Sequence, residues 1–142
     1  MEGVRITRLR PGDELVVLTA DGLFDHAPTE AWTEKFLASE GHHLLVALVE
    51  ARAVGFVSGV ELTHPDKGTE LFLYELAVHA DHRNRGIGRS LVAALAELAR
   101  DRGCYGMWVL TDADNGAARA AYAAAGAGSP AASLMLTWTF DT

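Results

Sequence analysis

A basic, glycine-containing segment follows an apolar run near the middle of the chain, and its residue types are suited to binding an anion. Between Arg83 and Ser90 the chain carries three arginines and two glycines, at Arg83, Arg85, Arg89, Gly86 and Gly88. Glycine lets the backbone approach an anion closely, and the start of a helix leaves N–H groups unpaired at the positive end of the helix dipole. The segment therefore predicts a phosphate site, with an ordinary turn bearing solvated arginines as the alternative.

A carboxylate stands in the apolar run directly before this loop. Glu75 lies within the stretch FLYELAV, where strand alternation puts its side chain on the opposite face from Leu76. Burying an unpaired charge is costly, so we expect Glu75 to face a cleft and to take a proton from a bound group. The alternative is a carboxylate on an exposed face of the sheet.

Alternating and helical spacings of apolar residues predict the elements that hold these groups. Strands are expected at 4–9, 43–49, 53–62, 70–78, 105–111 and 133–140, and helices at 13–23, 28–39, 87–102 and 112–125. A strand, a helix and a second strand following the loop imply a parallel pair within an otherwise antiparallel sheet. The expected fold class is α/β, with a mixed sheet flanked by helices.

Length and charge narrow the classes of function. The 142 residues suit one domain over 1–142, and the formal charge of −7 disfavours nucleic acid and favours a cationic ligand. The single cysteine, Cys104, excludes an internal disulfide, and no long apolar run predicts a membrane span or a signal peptide, so a cytoplasmic location is expected. His79 and His82 lack a third ligand nearby in the sequence, so no metal site is expected.

Two motifs at a fixed separation resemble those of the GNAT N-acetyltransferase superfamily. Its acyl-CoA signature is matched by the run from Arg83 to Gly88, and its helical Asn, Ala and Tyr are matched by Asn115, Ala118 and Tyr122. The motifs cover roughly residues 70 to 126, and the other predicted segments follow the family's order of elements. The resemblance implies a mostly antiparallel sheet with one splayed parallel pair.

The resemblance also implies acetyl-CoA as co-substrate and assigns its contacts. The pyrophosphate would lie on the backbone of Arg85, Gly86, Ile87, Gly88, Arg89 and Ser90 beside the charge of Arg83, with Asn115 and Ala118 on the neighbouring helix. The pantetheine arm would pair with the backbone of Leu76, Ala77 and Val78 as an added strand. Tyr122 would stabilise the departing thiolate, and Glu75 would deprotonate the amine.

A narrower similarity, to aminoglycoside 3-N-acetyltransferases, is carried by the segments LFDHAPTEAW and TDADN and by an acidic residue before LAV. It implies an aminoglycoside held by Asp25, Glu75, Asp112 and Asp114. The wider resemblance to the superfamily implies a homodimer, which an exposed final strand would mediate. Glu75 departs from the aspartate more usual at its position. Two other interpretations stay open: acetylation of a protein N-terminus, a lysine or another small amine, and a non-catalytic acyl-CoA sensor.

Overall fold

The computed structural model of the chain describes residues 3–141, and its strands form one sheet in the order β1-β2-β3-β4-β5. The strands are β1 (Val4–Arg8), β2 (His42–Val49), β3 (Arg52–His64), β4 (Gly68–Val78) and β5 (Met107–Val109). The first four pair antiparallel, and β4 pairs with β5 in parallel. The expected α/β class and the expected parallel pair are confirmed.

Four helices flank this sheet: α1 (Glu14–Leu18), α2 (Glu30–Ala38), α3 (Ile87–Asp101) and α4 (Gly116–Ala124). Side chains cap two of them, because Thr29 accepts a hydrogen bond from the Trp32 N–H and Asn115 accepts one from the Ala118 N–H. The first helix is shorter than expected, since it ends at Leu18 before the turn around Gly22. Between residues 3 and 141, no helix has the length and apolar character needed to cross a membrane.

The two faces of the sheet bury separate clusters of apolar side chains. On one face α3 packs against β3 and β4, and the fully buried residues there include Leu71, Leu73, Leu91 and Leu95. The other face carries α1 and α2 over Leu44, Val46 and Phe56. Glycine is required at Gly59 for close packing, because a Cβ there would lie 3.1 Å from Leu95 Cδ2. The first cluster includes Ile87 and so holds the start of α3 against the sheet. The second cluster packs α1 and α2 against the other face.

A bulge in the pairing of β3 with β4 changes which way the side chains of β4 point. Ser58 pairs with Glu75 and Gly59 pairs with Leu73, so Tyr74 has no partner on β3. Leu71 and Leu73 face the α3 cluster before the bulge, and Leu76 packs against the same cluster after it. Strict alternation from Leu73 would turn Glu75 into that cluster. The extra residue places Glu75 on the opposite face.

A polar network joins the sheet to the C-terminal end of α3. His43 is buried, its Nε2 lies 2.6 Å from the Glu61 carboxylate, and its Nδ1 lies 2.8 Å from the Arg8 guanidinium. Because a guanidinium only donates, Nδ1 accepts and the neutral ring donates from Nε2. Burial and the neighbouring Arg8 lower the pKa of His43. Arg102 also donates to Glu61, so the network anchors the end of α3 that is remote from the loop.

The expected strand over Ser133–Phe140 is wrong. The segment has no regular secondary structure, and its large apolar side chains are exposed, from 72% for Leu136 to 91% for Leu134. An alternating pattern supplies strand propensity, but a strand also needs a partner for its backbone N–H and C=O groups. The neighbouring β5 offers a ladder of only three residues, Met107–Val109, instead of the expected 105–111.

Candidate active site

The glycine loop lies between the end of β4 and the start of α3, as the sequence predicts. After one 3₁₀ turn at Ala80–His82, Asn84 and Gly86 adopt left-handed backbone conformations with φ of 61° and 80°. Gly86 is the N-cap of α3 and no side chain caps it, so the first N–H groups of this helix keep their capacity to bind an anion. The side chains of Arg85 and Arg89 are exposed beside them.

Arg83 differs from the other two arginines because its side chain folds back onto β4. Its Nε donates a hydrogen bond to the Val78 carbonyl oxygen over 3.1 Å. This contact fixes the turn that leads from β4 into the loop. Arg83 therefore helps to position the loop.

One edge of β4 is free next to the loop. The parallel ladder with β5 ends at Leu73 paired with Val109, so the part of β4 from Leu76 to Val78 has no partner on that edge within residues 3–141. A Cβ built on Gly88 would lie 3.6 Å from Ala121 Cβ and 3.8 Å from Val78 Cγ2, which shows that β4, α3 and α4 converge here. An extended, peptide-like chain can add to this edge and end at the loop.

The helical motif residues lie on the α4 side of this groove. Tyr122 is 9% exposed and packs in the α3 cluster, where burial raises the pKa of its phenol. A raised pKa keeps the hydroxyl protonated and able to donate. Ala118 packs against the same cluster, whereas Asn115 is exposed and serves as the N-cap of α4. The fold thus brings the loop, Leu76 to Val78 and α4 together.

The opposite face of β4 borders a cleft of about 860 Å³. Its walls come from α1 and the segment after it, from α2, and from β2, β3 and β4. Aromatic side chains dominate the lining, namely Phe24, Trp32, Phe36, Phe56, Phe72 and Tyr74. Of the residues the structure describes, the carboxylates in this lining are Asp25 and Glu75. Both were identified as amine contacts from the sequence, and the fold brings them to one cavity.

The environment of Glu75 favours a proton-accepting role. Burial raises the pKa of this carboxyl, and the negative charge of Asp25 raises it further. A carboxylate with a raised pKa is a stronger base than an ordinary surface glutamate and still ionises at neutral pH when the shift is moderate. The position of Glu75 and the charges around it suit a base, and its catalytic role stays a prediction.

Ser58 is a cleft residue that the sequence reasoning missed. It is 7% exposed, pairs with Glu75 across β3 and β4, and lines the same cavity. Within the described part of the chain its hydroxyl has no hydrogen-bond partner. The available signal was a polar side chain inside the buried run AVGFVSGV, where an apolar residue would be expected.

Asp112 and Asp114 are not brought into the cleft. Both are exposed in the turn before α4, and neither lines the cavity that holds Asp25 and Glu75. Their backbone carbonyls accept hydrogen bonds from the N–H groups of Asn115 and Gly116. In this arrangement the two residues stabilise the turn that precedes α4. Their positions do not support direct contact with a ligand in the cleft.

Comparison with known proteins agrees with this geometry. The chain is 30% identical over 112 residues to N-acetyltransferase 8 of Rattus norvegicus, which covers 77% of this chain and 50% of the relative. The chain thus spans about half the length of that relative. Among solved structures, an aminoglycoside acetyltransferase, HMB0005, from an uncultured soil metagenomic sample superposes with a TM-score of 0.78 at 26% identity, over 96% of this chain and 99% of that one.

A second solved structure extends the likeness of fold over nearly the whole chain. The aminoglycoside acetyltransferase meta-AAC0020, from an uncultured soil metagenomic sample and in complex with sisomicin, superposes with a TM-score of 0.85 at 19% identity. The match covers 98% of this chain and 97% of that one. The sequence model of the acetyltransferase (GNAT) family matches residues 13–127, a range that contains the glycine loop, the cleft carboxylates and Tyr122. The chain therefore belongs to the GNAT acetyltransferase family.

Proposed function

We propose that this chain is an acetyl-CoA-dependent N-acetyltransferase that transfers the acetyl group directly to an amine bound in the cleft. The observation that carries the proposal is the double use of β4. Its free backbone edge from Leu76 to Val78 runs into the glycine loop, while Glu75 on the same strand turns into the cleft because of the bulge. One strand thus connects a site for the donor with a site for the acceptor.

The residues of the groove fit acetyl-CoA. The N–H groups from Arg85 to Arg89, at the start of α3 where no side chain caps the helix, would hold the pyrophosphate, with the exposed Arg85 and Arg89 adding charge. The free edge of β4 would pair with the amide groups of pantetheine. Among these groups, the Val78 N–H is the candidate for polarising the thioester carbonyl.

The cleft supplies the other half of the reaction. Glu75 would accept the proton of the amine, whose nitrogen then forms a bond to the acetyl carbon while the bond from that carbon to sulfur breaks. Tyr122 would stabilise the departing thiolate by donating a hydrogen bond or its proton. The raised pKa of Glu75 supports the first role, and the buried, protonated phenol of Tyr122 supports the second.

An aminoglycoside is the proposed acceptor, with its 3-amino group as the target and antibiotic resistance as the consequence. The sequence similarity to HMB0005, the net charge of −7 and the pairing of Asp25 with Glu75 in one cavity support this choice. Acidic groups attract polycationic sugars and hold their ammonium groups. We place the reaction in the cytoplasm, where acetyl-CoA is made.

A thiol-release assay tests the proposal. The protein is incubated with acetyl-CoA and, separately, with kanamycin, gentamicin, a peptide with a free N-terminus, a lysine peptide and small amines. Aminoglycoside-dependent release supports the proposal, and turnover with peptides alone would show that the acceptor is a protein. Acetyl-CoA binding without turnover on any amine would leave a sensor module and overturn the enzymatic function.

We also infer a homodimer formed through the segment from Leu134 to Phe140. Its apolar side chains are exposed at 72–91%, a patch that soluble proteins usually cover with a partner. The double variant Met135→Lys and Trp138→Lys should shift the mass measured by light scattering from dimer to monomer. A wild-type protein that is already monomeric at micromolar concentration would contradict the inference.

A further inference from the structure

The wall of the cleft is more apolar than binding of a polycationic sugar requires. Phe24 stacks on Phe56 with ring centroids 4.3 Å apart, and Phe72 packs edge-on against Tyr74 at 5.7 Å. Trp32 lines the same cavity and is 68% exposed. Aromatic side chains provide large apolar areas for contact with a flat ligand. The lining therefore has the character of a site for an apolar group.

Three polar groups of the cleft, those of Asp25, Ser58 and Glu75, are related to one another. Glu75 and Ser58 are cross-strand neighbours at the bulge, and Asp25 is near enough for its charge to act on Glu75. The Ser58 hydroxyl is buried beyond nine-tenths and lacks a partner within residues 3–141, although a buried hydroxyl is normally hydrogen-bonded. One nitrogen at this position would satisfy the hydroxyl and one or both carboxylates.

We propose that the cleft also accepts a primary amine carried on an aromatic or aliphatic body, a substrate class distinct from the aminoglycosides. The nitrogen is held by Ser58 and Glu75, and the apolar body lies against the aromatic wall near Phe24 and Trp32. The two carboxylates of the lining match a single ammonium group better than the several such groups of an aminoglycoside. This inference rests on the proposed acetyltransferase function.

Two monoamines that differ in their body test the substrate class. With saturating acetyl-CoA, kcat/KM is measured for 2-phenylethylamine and for ethanolamine. Burial of a phenyl ring against the wall is expected to favour 2-phenylethylamine at least about tenfold. Trp32→Ala should reduce this ratio several-fold, whereas Leu15→Ala, at an exposed position on α1 outside the lining, should leave it unchanged. Equal turnover of the two amines, or preference for ethanolamine, overturns the proposal.

Ser58→Ala tests the site for the nitrogen and separates binding from folding. Removing an unpartnered buried hydroxyl should raise the midpoint of thermal unfolding by about 2–4 °C. The same change should raise the KM for 2-phenylethylamine several-fold while the KM for acetyl-CoA stays constant. Ser133→Ala, at an exposed position, is the control and should change neither quantity. An unchanged KM for the amine in Ser58→Ala would remove Ser58 from the site.

Failure of this inference is distinguishable from failure of the proposed function. Turnover of aminoglycosides without turnover of 2-phenylethylamine would overturn the apolar substrate class and leave the acetyltransferase in place. If no amine is turned over, calorimetric titration with 2-phenylethylamine tests whether the cleft binds an apolar amine, independently of the acetyltransferase activity. Binding that Trp32→Ala weakens would support the apolar site, and absence of binding would overturn it.

Discussion

The two sides of β4 are built in different ways. On the α3 side, backbone groups form the groove that we propose for the donor, from the edge of β4 at Leu76 through the turn at Gly86 to the first N–H groups of α3. On the other side, side chains from five separate stretches of the chain form the proposed acceptor cleft, including Asp25, Ser58 and Glu75. A backbone site depends on conformation and changes little with the side chains around it. The cleft can change its ligand by single substitutions, which explains why the donor is easier to infer than the acceptor.

The largest effect is expected from removal of the proposed base on the cleft side. Glu75→Gln keeps the size of the side chain and should lower kcat/KM for the amine about a hundredfold or more, because the amine loses its proton acceptor. The acid limb of the pH–rate profile, which should lie above the ordinary range of a glutamate because burial and Asp25 raise the pKa, should disappear. Steady-state thiol release across pH measures both quantities.

Glu75→Gln also has a predicted effect on stability. A raised pKa in the folded state means that the ionised carboxylate destabilises the fold above that pKa, and protonation removes the penalty. The variant should therefore unfold at a higher temperature than the wild type at neutral pH, with the difference fading as the pH falls. Glu97→Gln, at an exposed position on α3, serves as the control. An acid limb retained in Glu75→Gln would assign proton acceptance to another group.

A smaller effect is expected on the donor side from Tyr122→Phe. The ring and its packing in the α3 cluster are retained, so only the hydroxyl that we propose to stabilise the departing thiolate is lost. We expect kcat to fall about tenfold or more with the KM for acetyl-CoA unchanged within about twofold. Tyr105→Phe is the matched control, because Tyr105 is exposed and donates to Glu70 outside the groove. Equal losses in the two variants would argue against a specific role for Tyr122.

A substitution in the glycine loop is expected to have a weaker effect than Glu75→Gln or Tyr122→Phe. It should change only the kinetic constants for acetyl-CoA. Gly86 has a φ of 80°, which costs a residue with a Cβ about 1–2 kcal/mol. Gly86→Ala should raise the KM for acetyl-CoA roughly fivefold and leave the KM for the amine unchanged. Gly128→Ala, where an added Cβ meets nothing within 4 Å, is the control. A change in both KM values would show that the two halves are coupled through the loop.

The smallest effect is expected from the carboxylates outside the cleft. The double variant Asp112→Asn and Asp114→Asn should change the KM for an aminoglycoside less than about threefold, through loss of long-range attraction alone. Asp25→Asn, inside the lining, should change it more. Repeating the measurement at high salt should remove the effect of the outer pair. A large effect of the outer pair at high salt would extend the acceptor site toward the start of α4.

The sequence predicted the sheet, the parallel pair and the position of the donor loop, because each follows from local patterns. Alternation marks the strands, and glycines with arginines after Val78 mark the loop. The interior of the cleft was not predictable in the same way. Ser58 shows its significance only after the fold leaves its hydroxyl unpartnered beside Glu75. Asp112 and Asp114 were grouped with Glu75 by charge, and the tertiary structure separates them.

The C-terminal segment marks another limit of local patterns. Alternation at 133–140 gives a strong signal for a strand, yet whether a strand forms depends on an available partner edge. The short β5 does not provide that edge over the expected length. Propensity within the segment therefore could not decide its structure, because the deciding factor lies elsewhere in the molecule.

The bulge at Tyr74 has a consequence for how this protein can evolve. With Tyr74 present, the direction in which Glu75 points is set by the bulge between Leu73 and Leu76, and no single side chain encodes it. A scan of point substitutions would record Tyr74 as tolerant if its ring is dispensable. Deleting that one residue would restore strict alternation and leave Glu75 on the cleft face, because Glu75 would then follow Leu73 directly. The strand can therefore lose the extra residue and keep the direction of its carboxylate, whereas pairing every residue of β4 without the bulge would turn Glu75 into the apolar core.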